Sequence, residues 1–282
     1  MTAPTPFIEP ARLASRLGDP RLRIVDGSWY LPTQGRDGRA EYLARHIPGA
    51  VFFDIDRIVD PSSGLPHMLP SPDAFADAVG ALGIGDGMDI IVYDGAGLFS
   101  AARVWWTFRT FGATSVAILE GGFPAWKAEG HPVEAGERSQ PPARFTPRFD
   151  ASAVASLDEV RAALKGATAE IVDARPADRF RGEAPEPRPG VRSGHIPGSR
   201  NVPFPAVIEN GRLAPPDRIV EAFESAGVDL DRPVITSCGS GVSAAILALA
   251  LETIGRPAAR IYDGSWAEWG SRQDLPLATG KD

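Results

Sequence analysis

The single cysteine of this 282-residue chain lies in the stretch Val234-Ile235-Thr236-Ser237-Cys238-Gly239-Ser240-Gly241-Val242-Ser243. An apolar β-type run ends at the thiol, a turn of small residues follows, and an Ala/Leu-rich helical pattern begins at once. Strand, tight loop and helix in that order put a sulfur at the mouth of a helix, where backbone N–H groups favour the thiolate. Most lone cysteines are buried and inert. Here the glycines on either side of Ser240 suit a loop wrapped round an anion better than a packed core. Cys238 is therefore read as a nucleophile, and as an exposed one open to oxidation to the sulfenic acid. One cysteine forms no internal disulfide, and one cysteine with four scattered histidines has no zinc-ligand spacing. The expected chemistry calls for no metal and no organic cofactor.

The elements that must hold this loop are written twice. Ile24-Val25-Asp26-Gly27 has a counterpart in Ile171-Val172-Asp173-Ala174, and His46-Ile47-Pro48-Gly49 in His195-Ile196-Pro197-Gly198. Ile90-Ile91-Val92-Tyr93-Asp94-Gly95 matches Val234-Ile235-Thr236-Ser237-Cys238-Gly239, and Gly121 to Trp126 matches Asp263 to Trp269. The order is kept at an offset of roughly 145 residues, the mark of a duplicated domain. In each copy short apolar strands alternate with amphipathic helices: strands near 23–26, 90–93 and 116–119, helices near 73–82, 100–111 and 123–129, then strands near 170–173, 234–237 and 259–262 with helices near 157–165, 216–226, 242–254 and 265–269. This pattern predicts an α/β protein of two tandem domains, each a parallel sheet flanked by helices on both faces. The expected boundaries are 7–130, a surface linker over 131–152 that is rich in Pro, Arg and Ser, and 153–282. In the first copy Asp94 stands where the second has Cys238, so only the second copy carries the nucleophile, at the carboxyl end of a strand where open α/β sheets bind ligands.

Composition narrows the function classes. A net charge of −7 leaves no global basic footprint for nucleic acid. Residues 1–10 are Pro-rich without a basic-then-apolar leader, and the longest apolar stretch, 244–251, is far too short for a bilayer. A cytoplasmic protein without nucleic-acid or membrane partners is expected, and a monomer, because the tandem supplies its own second half.

Two copies of an α/β domain, His-Ile-Pro-Gly in each and a cysteine loop in the second alone, resemble the tandem-domain rhodanese-type sulfurtransferases over roughly residues 7–280. The resemblance implies a two-step transfer through a cysteine persulfide. Its thiosulfate branch has Cys-Arg-Lys-Gly, two cations that suit an inorganic dianion; its 3-mercaptopyruvate branch has Cys-Gly-Ser-Gly-Val-Thr. Cys238 to Ser243 matches the second at five of six positions, with Ser243 keeping the hydroxyl of the threonine. In Asp178-Arg179-Phe180-Arg181-Gly182-Glu183-Ala184-Pro185-Glu186-Pro187-Arg188, the resemblance assigns Arg179 and Arg188 to the carboxylate and keto oxygen of mercaptopyruvate. Guanidinium forks suit that task because they bind planar carboxylates bidentately and keep their charge; Arg181 is read as a solvated surface residue. The same branch implies that Ser240, His67 and Asp56 form a proton relay, with Asp56 fixing the His67 tautomer.

Aligning Leu69 with Leu213 puts His67 opposite Gly211, so the repeated fold does not demand this histidine, whereas His46 and His195 recur and are read as structural. Backbone N–H groups of Gly239, Ser240, Gly241, Val242 and Ser243 are expected to cradle the persulfide, and an acceptor thiol, thioredoxin or cyanide to remove its outer sulfur. Thiosulfate as the donor stays open, as does a non-enzymatic redox sensor or sulfur carrier built on Cys238. A phosphatase of the same fold is poorly matched, because its Cys-x5-Arg motif would need arginine where Ala244 stands.

Overall fold

A computed structural model describes residues 6–281 and divides them into two compact units. The first takes in the chain up to Pro61, Leu69–Asp150 and Asn210–Arg212; the second takes in Ser62–Met68, Ala151–Glu209 and the chain from Leu213 onward.

In the first unit the strands are β1 (Phe7–Ile8), β2 (Leu22–Asp26), β3 (Val51–Phe52), β4 (Asp89–Tyr93) and β5 (Val116–Leu119), and the helices α1 (Pro10–Ala14), α2 (Gly38–Ala44), α3 (Pro72–Ala81), α4 (Ser100–Thr110) and α5 (Gly122–Ala128). The sheet is parallel throughout, in the order β1-β5-β4-β2-β3. In the second unit β6 (Val154–Ala155), β7 (Glu170–Asp173), β8 (Arg200–Asn201), β11 (Val234–Ser237) and β12 (Arg260–Tyr262) repeat that order as β6-β12-β11-β7-β8, again all parallel. Helices α6 (Leu157–Gly166), α7 (Ala177–Phe180), α8 (Pro216–Ser225), α9 (Ala244–Thr253) and α10 (Ser265–Trp269) complete it; β9 (Ile208–Glu209) and β10 (Arg212–Leu213) form a separate two-stranded hairpin. Each sequence-predicted strand and helix is present with its ends shifted by at most two residues. The short edge strands and α1, α2 and α7 carry too few residues for a periodic signal.

The physical reasons are local. Strands β4 and β7 are buried along almost their whole length, as parallel strands covered on both faces must be. Helices α4 and α9 are buried nearly all round, whereas α6 shows one apolar stripe, with Leu157, Val160 and Ala163 buried. Ser156 and Glu159 close a reciprocal capping box at the start of α6, and Ser71 followed by Pro72 opens α3. Trp126 and Trp269, at matching places in the repeats, are both buried in core clusters and donate from Nε1 to the carbonyls of Pro132 and Pro276, each at 2.7 Å. Trp105 and Trp106 on α4 are buried too, with Arg109 and Arg103 over their rings.

Segment 131–152 has no α-helix and only at its end enters the 3-10 turn Ala151–Ala153, but up to Asp150 it packs into the first unit. Phe145 is buried edge-on against Phe75, Thr146 bonds Asp86 from both its N–H and its hydroxyl, and Glu134 pairs with His46 across an isolated antiparallel bridge. His46 and His195 are structural, as expected: each ring Nδ1 lies 2.8 Å from a backbone carbonyl, of Tyr42 and of Phe180.

The duplication preserved one buried carboxylate and changed its partner. Asp26 and Asp173 both end a central strand and both accept the N–H two residues on, but Ser28 stands in the first copy where Arg175 stands in the second. Burial, acting against hydrogen bonds from Ser28 and Tyr93, pushes the Asp26 carboxyl up to about 6 from its usual 3.8. The folded protein therefore holds a proton that the unfolded chain has released, and this contribution to stability is full below the ordinary carboxylate value and lost as pH rises to about 6. Asp26→Asn removes that loss. Urea unfolding at about pH 4 and about pH 7 is expected to show the variant gaining on the unsubstituted protein by up to about 3 kcal/mol over that range. An unchanged difference across pH would show that Asp26 is ionised throughout.

Candidate active site

Cys238 follows directly on β11, a central strand of the second sheet, and the loop after it enters α9 at Ala244. The loop is laced to the start of α10. Cys238 N–H donates to Ser265 Oγ at 3.2 Å, its carbonyl accepts from Trp266 N–H at 2.9 Å, and the Gly239 carbonyl accepts from Ala267 N–H at 2.9 Å. These bonds draw the loop down, and Cys238 is only 2% exposed. The expectation of an exposed thiol is thus corrected: Cys238 is buried. Gly241 turns the loop with φ +78°, and Gly97 takes φ +107° at the same place in the first copy, a region that a Cβ disfavours.

The first copy shows what such a loop holds. Asp94 is fully buried, and its two carboxylate oxygens accept the N–H groups of Ala96, Phe99 and Ala101 at 2.7–2.8 Å. Counted from Asp94 and Cys238, those donors correspond to Ser240, Ser243 and Ala245. The first loop is an anion cradle filled by its own side chain.

Ser240 is buried, and its Oγ lies 2.9 Å from His67 Nδ1. His67 is itself buried, 173 residues away in sequence, and its segment Ser62–Met68 belongs to the second unit. It takes φ +61°, and Gly211, its partner in the repeat alignment, takes φ +73°. The repeated fold thus calls for a left-handed residue here. Glycine adopts it without cost, and an imidazole adopts it at a cost on the order of 1 kcal/mol. Asp56 belongs to the first unit, where Trp29 Nε1 donates to both of its oxygens at 3.0 and 3.2 Å.

Arg179, on the single turn of α7, and Arg188, beyond it, both reach the cysteine loop. A Cβ placed on Gly239 would lie 3.4 Å from Arg179 Nη2 and 4.0 Å from Arg188 Nη1. Both guanidinium groups thus lie within van der Waals reach of the Cβ position at 239. Arg181 pairs with Glu183 at 2.6 Å outside this cluster. Val242 is buried, and Gly239 and Ser243 are half-buried.

Sequence reasoning missed the groups behind the arginines. Glu186, with its side chain 4% exposed, accepts from Arg179 Nε at 3.3 Å and from Arg179 Nη2, and its Oε1 also accepts from Arg175 Nη1 at 2.8 Å. Arg175 is buried, bonded three times to the Asp173 carboxylate at 2.7–3.1 Å, and lies over the Trp266 ring. Burial works against the Arg175 charge, but Asp173 and Glu186 outweigh it and hold the guanidinium above its ordinary range. The signal was present as Glu186 between two prolines and as an arginine two residues beyond a strand-end aspartate. Among the described residues no group of three or more His, Cys, Asp and Glu side chains could hold a metal ion, and no helix is long and apolar enough to cross a membrane.

Comparison with known proteins agrees with this geometry. The rhodanese-like domain model matches twice, over residues 9–129 and 156–272. The 3-mercaptopyruvate sulfurtransferase of Escherichia coli K12 is 46% identical over 272 residues, covering 96% of this chain and 97% of that protein. The human 3-mercaptopyruvate sulfurtransferase is 42% identical over 269 residues, covering 94% of this chain and 90% of that one. The crystal structure of SseA from Escherichia coli, a 3-mercaptopyruvate sulfurtransferase with the rhodanese fold, superposes with a TM-score of 0.87 at 44% identity, covering 93% of this chain and 99% of that one. The chain therefore belongs to the rhodanese family, as a tandem two-domain sulfurtransferase of the 3-mercaptopyruvate type.

Proposed function

We infer that this chain moves the sulfur of 3-mercaptopyruvate to a thiol, thioredoxin or cyanide acceptor through a Cys238 persulfide, releasing pyruvate. One observation carries the reading: the cysteine loop has the Ser240–His67 pair on it and two guanidinium groups against Gly239. In the first step Arg179 and Arg188 hold the carboxylate and keto oxygen of the donor. The Cys238 thiolate attacks the donor sulfur, an S–S bond forms, and the C–S bond breaks with its electron pair passing to pyruvate enolate. The guanidinium groups stabilise the enolate oxygen, and Ser240 with His67 and Asp56 delivers a proton to the carbon. In the second step the acceptor attacks the outer sulfur of the persulfide and leaves the Cys238 thiolate.

The cradle of the first unit supports this division of labour. A thiol ends one atom short of a carboxylate, so the place that an Asp94 oxygen takes in the first loop falls to an atom bonded to the Cys238 sulfur in the second. By that correspondence the N–H groups of Ser240, Ser243 and Ala245 would hold that atom as an anion. In the same reading residues 7–130 form a domain without a nucleophile, 131–152 join it to the catalytic domain 153–282, and the enzyme works as a cytoplasmic monomer on small molecules.

The test is sulfur transfer to cyanide from 3-mercaptopyruvate and from thiosulfate, compared by kcat/KM. Mercaptopyruvate is expected to be the better donor by about a hundredfold or more, and Cys238→Ser to lower turnover by about a thousandfold or more. Preference for thiosulfate would overturn the donor assignment, and turnover by the serine variant would overturn the persulfide. His67→Gly separates chemistry from folding. Because the backbone there is left-handed, glycine is expected to leave the thermal midpoint nearly unchanged while kcat falls about a hundredfold. A fall in the midpoint with kcat retained would make His67 a structural residue.

A further inference from the structure

We propose that Glu186 sets donor selectivity by charge, admitting a monoanion to the Cys238 pocket in preference to a dianion. The inference rests on the reading of Arg179 and Arg188 as the donor site, and it begins from an oddity. A buried carboxylate touches an arginine whose task is to bind an anion. Charge neutrality of the interior does not require it. Arg175 already shares three hydrogen bonds with the Asp173 carboxylate, and its Nη2 donates in addition to the Gly194 carbonyl at 2.8 Å. Glu186 reaches past Arg175 and takes the Nε and Nη2 edge of Arg179 with both of its oxygens.

That contact has two consequences. The first is orientation. With its Nε and Nη2 edge held by Glu186, Arg179 is fixed with Nη2 also 3.4 Å from the Cβ position of Gly239. The second is charge. Glu186 adds one negative charge to the pocket in a setting where its side chain and that of Arg179 are only 4% and 15% exposed, so solvent screens it little. Coulomb repulsion scales with the charge on the ligand. Glu186 therefore opposes the single charge of mercaptopyruvate once and the double charge of thiosulfate twice. Loss of orientation weakens both ligands alike, and loss of the charge favours the dianion, so the ratio of the two separates the effects. Glu186 is a positioning and specificity-determining residue and touches no reacting atom.

Calorimetric binding of pyruvate and of sulfate, together with turnover of mercaptopyruvate and thiosulfate, reads this ratio in the unsubstituted protein, Glu186→Gln and Glu186→Asp. The Gln variant is expected to shift both ratios toward the dianion by about tenfold or more. The Asp variant keeps the charge but draws it back by one methylene, so it is expected to shift them the same way by less. It also serves as the test should the Gln variant fail to fold. Proportional loss for both anions, with the ratios unchanged, would overturn the inference and leave Glu186 a structural residue. A protein that binds both anions with the expected shift yet turns over neither donor would sink the sulfurtransferase reading and uphold the charge effect. A protein that binds neither anion would overturn both.

Discussion

A guanidinium buried beside a tryptophan ring has to be neutralised where it stands, and much of the second unit is arranged around that requirement at Arg175. Asp173 meets it from the end of β7, which ties the charge to a central strand. Glu186 adds a bond to the already neutralised Arg175 from the Pro-rich segment after α7, which ties that otherwise irregular segment to the sheet. Arg179 and Arg188 lie on or next to the segment so anchored, and their placement against Gly239 follows from it. The site is thus held by buried, hydrogen-bonded charge more than by regular secondary structure, for α7 has only four residues.

The two copies of the fold show one backbone put to two uses. Each has a strand, a left-handed glycine and a buried helix in the same order. In the first copy Asp94 closes the loop with its own carboxylate, and Asp26 lies buried with Ser28 in place of a cation. In the second copy the corresponding positions hold a thiol and an Asp–Arg pair. The first copy also brings a guanidinium to its loop, with Arg36 donating to the Gly95 carbonyl at 3.2 Å, but Asp26 is met there by Ser28 where Asp173 is met by Arg175. The copies differ also at His67, which occupies a backbone position that its counterpart Gly211 takes freely. An imidazole kept in a left-handed conformation and bonded to Ser240 is a local departure from the fold's own preference, of the kind found at functional sites.

Much of this was legible in the residues. Apolar strands and amphipathic helices have periods that do not depend on tertiary context, so the alternation that makes each sheet parallel, the duplication, and the loop from Ser237 to Ser243 could be read directly. The arginines and the Ser240, His67 and Asp56 set came from resemblance, because no periodicity marks a side chain that acts across the chain. Three features lay outside both. The burial of Cys238 depends on hydrogen bonds from α10, contributed by residues beginning 27 positions further on. The packing of Phe145 in a segment of linker-like composition depends on where the aromatic cluster around Phe75 offers a face. The role of Glu186 depends on which of its neighbours is already neutralised.

By itself the sequence determined the elements and their repetition and singled out Cys238 as the candidate nucleophile, because these follow from local spacing and from the chemistry of single residue types. Tertiary structure alone decided how deep the sulfur lies, which backbone conformation His67 must take, and how charge is shared among Asp173, Arg175, Glu186 and Arg179. Those are properties of distance and dielectric, which act through space and leave no period in the chain.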